Sequence, residues 1–150
     1  MTRGIRPLRI LIVEDEMLLT MDLEAIVASC GHEVVGEAVC LHSAEALRDD
    51  TDPDIAFVDV RLARGTNGLD VSEMIQRRWG QSIIIFVTGN PKSIPEDFAG
   101  AHGVIAKPFS NAAMTAMIHY LEEGVCAPPP TAIPPQSFVA APTLIEKWAA

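Results

Sequence analysis

The sequence predicts an α/β fold built on a doubly wound parallel sheet with helices on both faces, and three observations predict it. Apolar runs of strand length alternate with stretches of helical periodicity along most of the chain. The third and fourth runs lack clean polar–apolar alternation, as strands covered on both faces do. Four of the runs end on residues with chemistry to offer: acids, an acid, a hydroxyl and a lysine. In an open α/β sheet ligands bind beyond the carboxyl ends of the strands. The pattern therefore predicts one site assembled from four distant segments.

Arg9-Ile-Leu-Ile-Val13 is the first strand and runs straight into Glu14-Asp15-Glu16. Leu19, Leu23, Ile26, Val27 and Cys30 then recur at helical spacing, with Gly31 as a natural stop. Glu33 to Ala38 reads as the second strand, and Ser43 as the cap of a short helix through Leu47. Asp54-Ile-Ala-Phe-Val-Asp59 is the third strand and delivers one carboxylate to the sheet edge. The loop from Arg61 to Gly68 is rich in turn residues and ends in Asn-Gly. Val71, Met74, Ile75 and Arg78 mark one side of the helix that follows. Ile83 to Val87 is the fourth strand and leads to Thr88-Gly89.

The next helix should lie between Asn90 and Ala99, but Pro91 and Pro95 fall inside it, and proline is tolerated only in a first turn. An irregular or shortened fourth helix is expected, beginning near Pro95 after a mobile segment. Gly103 to Ala106 is the fifth strand and ends at Lys107-Pro108-Phe109. The last helix of the repeat starts at Ser110 or Asn111, with Met114, Met117, Ile118 and Leu121 on one stripe. Five strands separated by helices imply right-handed crossovers.

A chain of 150 residues makes one domain of ordinary size with room for an appendage. The reading divides it into a domain over 1–125 and a proline-rich tail over 126–150. Pro128, Pro129, Pro130, Pro134 and Pro135 suggest an extended spacer. It leads to a short amphipathic helix over Pro142 to Trp148, which either stays disordered or docks through Leu144, Ile145 and Trp148. A net charge of −9 argues against a nucleic-acid-binding surface and suits a protein that handles a divalent cation. A hydrophobic content of 49% excludes a disordered chain. No apolar run approaches the roughly 20 residues of a membrane span, and no secretory segment precedes the first strand. Cys30, Cys40 and Cys126 are widely spaced and read as reduced thiols, which gives a cytoplasmic location.

From about Leu8 to Gly124 the chain resembles the response-regulator receiver domains of bacterial two-component signalling. The likeness rests on an acidic pair after strand one, Asp59 after strand three, Thr88 after strand four and Lys107-Pro108 after strand five. It implies a flavodoxin-like sheet of order 2-1-3-4-5. It also implies that Asp59 is the phospho-acceptor, that Asp15 binds Mg²⁺ directly, and that Glu14 holds metal-bound water. The backbone carbonyl of Arg61 would be a further metal ligand. Thr88 would bond a phosphoryl oxygen, Lys107 would pair with the acceptor and then the phosphoryl group, and the Lys107–Pro108 peptide would be cis. The implied partners are a sensor histidine kinase as phosphodonor and a downstream protein, with neither nucleic acid nor membrane. Phe86-Val-Thr-Gly89 is similar to the Phe-Ala-Thr-Gly motif of a subgroup of stand-alone regulators. Two departures stand out: the loop after Asp59 carries Gly65 and Gly68 in place of the usual proline, and Val104 stands where the family often has an aromatic residue. With that aromatic readout absent, the segment from Pro91 to Ala99 is expected to change order when Asp59 is modified.

The chemistry stands without the name. Carboxylates converging on one pocket repel each other unless a cation relieves them. Mg²⁺ prefers oxygen ligands and can neutralise phosphoryl oxygens during attack by an aspartate. The expected function is a single-domain regulator that is phosphorylated on Asp59 and switches protein–protein contacts, rather than an enzyme acting on outside substrates. Alternatives are a phosphate relay or sink, and a pseudo-receiver that is never phosphorylated. A hydrolase with an aspartyl-phosphate intermediate would want a second aspartate two residues past the nucleophile, where Arg61 stands. A flavin or nucleotide binder would want a glycine- or hydroxyl-rich loop where Glu14-Asp15-Glu16 stands.

Overall fold

The computed structural model describes residues 6–149. Five parallel strands form its centre: β1 (Arg9–Val13), β2 (Glu33–Ala38), β3 (Ile55–Asp59), β4 (Ile83–Thr88) and β5 (Gly103–Ala106). Successive side chains along a strand face opposite sides of the sheet, so a strand buried on both faces needs apolar residues throughout. Ile10, Ile12, Ile55, Phe57, Ile83 and Ile85 point to one core, against Leu23, Ile26 and Val27 of α1 (Met17–Ser29) and Met114, Met117, Ile118 and Leu121 of α4 (Asn111–Cys126). Leu11, Val13, Ala56, Val58, Ile84 and Phe86 point to the other, against Val71, Met74 and Ile75 of α3 (Gly68–Arg78). These two layers are why the central runs do not alternate.

The short helix α2 (Leu41–Glu45) starts earlier than the expected cap at Ser43. Cys40 occupies the cap position, and the Ser43 hydroxyl, three residues on, accepts the Cys40 and Val39 amides at 3.2 and 2.9 Å. Asn67 caps α3 through its side-chain oxygen, which accepts from the Leu69 amide. Ser110 caps α4 by accepting from the Ala113 amide. Between β4 and β5 no α-helix forms. The crossover is reduced to two turns of 3-10 helix, Pro91–Ser93 and Phe98–Gly100. The helix expected to begin near Pro95 is stopped by a left-handed run, with φ at +55° for Phe98, +50° for Ala99 and +82° for Gly100.

The sheet has six strands, not five, in the order β2-β1-β3-β4-β5-β6. The extra strand, β6 (Phe138–Ala140), comes from the proline-rich segment and pairs antiparallel with β5. It is followed by α5 (Pro142–Trp148), the helix expected from the sequence. Leu144 and Trp148 are buried with the α1 and α4 side chains, whereas Ile145, named with them as a docking residue, is 61% exposed. Its position one residue past Leu144 turns it to the outer face of the helix. The stretch between the two proline groups is held down as well: the Glu123 carboxylate on α4 accepts from the Thr131 amide and hydroxyl and from the Ala132 amide. Two local restraints therefore replace the free spacer.

Candidate functional site

Parallel strands all end on one edge, and that edge collects the predicted residues. β1 delivers Glu14 and Asp15, β3 delivers Asp59, β4 delivers Thr88, and the turn after β5 delivers Lys107. Glu14, Asp59 and Thr88 are buried, whereas Asp15 is exposed. The Lys107 ammonium donates to Glu14 Oε1 at 2.9 Å and to Asp59 Oδ2 at 3.0 Å, tying together residues from three strands. The second oxygen of each acid is also met by protein: Asp59 Oδ1 accepts from the Arg61 amide at 3.3 Å, and Glu14 Oε2 from the Glu16 amide at 3.0 Å. The Lys107–Pro108 peptide is cis.

Charge in the pocket is only partly balanced. Three carboxylates face one ammonium. Oxygens of Glu14, Asp15 and Asp59 all lie within 4.8 Å of one another. Burial pushes Glu14 up to about 7, with the charge of Asp59 adding to it against the opposing hydrogen bonds from Lys107 and the Glu16 amide. Burial acts to lower Lys107, but its contacts with Glu14 and Asp59 outweigh that, and the ammonium is held above its ordinary range. An all-oxygen, net-negative set of this kind fits a hard divalent cation. Arg61 lines the same pocket as Asp15, Asp59, Thr88 and Lys107.

Thr88 Oγ1 accepts from the Asn90 amide at 3.1 Å. That bond orients the hydroxyl and leaves its hydrogen free to donate. Asp15, Asp59, Arg61, Thr88 and Lys107 thus line one pocket, and Glu14 joins them from beneath through the Lys107 ammonium. Glu16, Gly89 and Asn90, which the sequence reading did not assign to the site, line it as well. Their signal was only adjacency to Asp15 and Thr88.

Residues 10–119 match the family model for the response regulator receiver domain. The chain belongs to the response regulator receiver family. As a receiver it is 35% identical over 111 residues to the phyllosphere-induced regulator PhyR of Methylorubrum extorquens, covering 73% of this chain and 41% of that protein. It is 34% identical over 106 residues to the transcriptional regulatory protein PdtaR of Mycobacterium tuberculosis, covering 69% of this chain and 51% of that one. The receiver thus spans about half, or less, of the length of these curated relatives. Among solved structures it is similar to the receiver domain of Erythrobacter litoralis PhyR, with a TM-score of 0.68 and 29% identity, covering 77% of this chain and 89% of that one. It also resembles the anti-anti-sigma factor PhyR of Bartonella quintana, with a TM-score of 0.63 and 30% identity over 75% of this chain and 46% of that one. The α/β fold with its mostly parallel sheet is that of these receivers, and no helix among the described residues is long and apolar enough to cross a membrane.

Proposed function

We propose that this receiver accepts a phosphoryl group on Asp59 from a phosphohistidine of a sensor kinase and switches the binding of a downstream protein. The observation that carries this reading is the Lys107 ammonium bridging Glu14 and Asp59 beside an exposed Asp15. One carboxylate oxygen of Asp59 attacks phosphorus in line. The new O–P bond forms as the P–N bond breaks, and the electron pair returns to the donor's imidazole nitrogen. Lys107 counters the negative charge on the incoming group as a point charge, and the Thr88 hydroxyl donates to a phosphoryl oxygen. The Arg61 amide holds Asp59 in place for the attack.

Mg²⁺ bound by Asp15, Asp59 and the Arg61 carbonyl, with Glu14 on its water, would supply charge neutralisation at the phosphoryl oxygens. The added group brings a charge of about −1.5 to −2 into a pocket already short of cations. That charge is the free-energy source for a switch. Output by protein binding is supported by the Bartonella relative, which is described as an anti-anti-sigma factor. Cys30, Cys40 and Cys126 are all unpaired, which supports a cytoplasmic setting.

Intact-mass analysis after incubation with a small acyl phosphate and Mg²⁺ tests the reading. One labile phosphoryl addition is expected, and it should vanish in Asp59→Asn and in chelator. An unchanged mass under several donors would identify a pseudo-receiver instead.

A further inference from the structure

The C-terminal segment does more than extend the sheet. Two glycines receive it. A Cβ at Gly103 would lie 2.7 Å from Phe138 Cε1 and 2.9 Å from the Val139 carbonyl oxygen. A Cβ at Gly124 on α4 would lie 2.3–2.4 Å from three ring carbons of Trp148. Each glycine leaves a socket that one aromatic ring of the segment fills. Tyr120 on α4 lies between the two rings, 5.8 Å from Phe138 and 5.7 Å from Trp148. The backbone joins in: the Ala141 amide donates to the His102 carbonyl at 2.9 Å, and the Thr143 hydroxyl to the Ala101 carbonyl at 2.9 Å.

The hold weakens toward the acidic pocket. The Ala106 amide reaches the Ser137 carbonyl at 3.3 Å, and the Ser137 hydroxyl is buried with no partner. A buried hydroxyl left unpaired costs stability. This weak end is also the end that touches the site. Asp59 is in register with Val87, Thr88 is in register with Ala106, and Ala106 bonds Ser137. The Lys107 amide donates to the Thr88 carbonyl at 2.8 Å. Two adjacent rows across the sheet edge thus link the acceptor strand and its neighbour to the start of the segment, Asp59–Val87–Ile105–Phe138 and, one residue further along, Thr88–Ala106–Ser137.

We propose that residues 137–148 are a releasable strap over the edge of β5 and the C-terminal half of α4, latched in the unmodified chain and freed by a phosphoryl group on Asp59. The proposal rests on the reading of Asp59 given above. Drawing Thr88 and Lys107 toward the new group shifts the end of β4 and the residue next to Ala106. The bond that yields is the long one to Ser137. β6 is three residues long, so loss of its first contact leaves little pairing to hold it. What release uncovers is a strand edge with unpaired backbone groups and two sockets of aromatic size. Such a surface takes an extended segment from a partner chain by strand addition.

Trp148 is one of two tryptophans in the chain and reports on the strap directly. Acrylamide quenching and emission of the full chain are recorded before and after treatment with a small acyl phosphate and Mg²⁺. The Trp148→Phe chain supplies the Trp79 background, and intact mass is read on the same samples. The expected result is a red shift and a rise in the Trp148 quenching constant that track the fraction carrying the added mass. Gly124→Val should show the released signal without any donor, and Gly103→Val serves if that variant does not fold. An added phosphoryl with unchanged Trp148 quenching overturns the strap while leaving the Asp59 reading standing. Absence of added mass under all donors overturns both. The same quenching rise in donor-treated Asp59→Asn also overturns the strap, since release would then owe nothing to the modification.

Discussion

A Cβ at Gly68 would sit 2.0 Å from the Asp59 carbonyl oxygen and 2.7 Å from the Val60 Cα. The first turn of α3 is pressed against the strand end that presents the acceptor, and the Gly68 amide donates to the Val60 carbonyl at 2.7 Å. Gly68→Ala should therefore displace Asp59 and abolish phosphoryl uptake in the mass assay, although every charged residue of the pocket is retained. Lys107 is the other decisive side chain. Its removal leaves Glu14 and Asp59 facing each other without a cation, and breaking a buried pair costs about 3 kcal/mol or more. Glu14 has a pKa raised above that of the unfolded chain, so its contribution is intact at low pH and lost as pH rises through about 7. Lys107→Ala should thus lower the melting temperature more at pH 8 than at pH 6, and Mg²⁺ should close much of the gap. Asp59, Thr88 and Lys107 were legible in the sequence because each directly follows an apolar run. The ion pair between Lys107 and Glu14 was not legible, since it joins residues 93 positions apart.

The same contrast holds for whole elements. β1 and β3 to β5 were legible because burial on both faces makes a strand a continuous apolar run, and α4 because its methionines and leucine recur on one stripe. The crossover after β4 was legible in outline, from its prolines, but not as two 3-10 turns. Their left-handed residues, Phe98 and Ala99, carry no sequence signal for that conformation. β6 was missed because three residues between prolines and a helix are too few to display a period. Its contribution can be measured. Trp148 is only 6% exposed and packs in the α1–α4 core. Trp148→Ala should cost about 3–5 kcal/mol in denaturant unfolding, whereas a dangling tail would make the change neutral.

At the scale of the molecule, acidity governs. The chain carries a net charge of −9. Two histidines, His32 buried and His102 half-buried, oppose acidification from within. His102 Nδ1 accepts from the Ile84 amide at 3.0 Å, and burial, with Lys147 nearby, lowers its pKa to about 4. His32 Nδ1 accepts from the Leu8 amide at 2.9 Å, and burial lowers it too, against the pull of Glu122. A histidine whose folded pKa lies below its unfolded value contributes stability that is full above about 6.5 and is lost as pH falls toward the folded value. The histidine contribution should accordingly fall between pH 6.5 and pH 4, opposite in sign to that of Glu14, with thermal melts of His102→Asn against the unaltered chain as the measure. The His102 ring should titrate near 4 by NMR, and a midpoint near 6.5 would count against this account.

Arg6 and Trp148 line one cavity at the start of the strands, together with Asp54 and Ile83. The acceptor pocket opens at the other end of those strands, and a five-residue strand is roughly 15 Å long. A dye, tag or fused protein hung beyond Trp148 would leave the pavement around Asp59 unobstructed. Both ends of the described polypeptide arrive on the floor of the molecule, so attachments meant for imaging or immobilisation belong there.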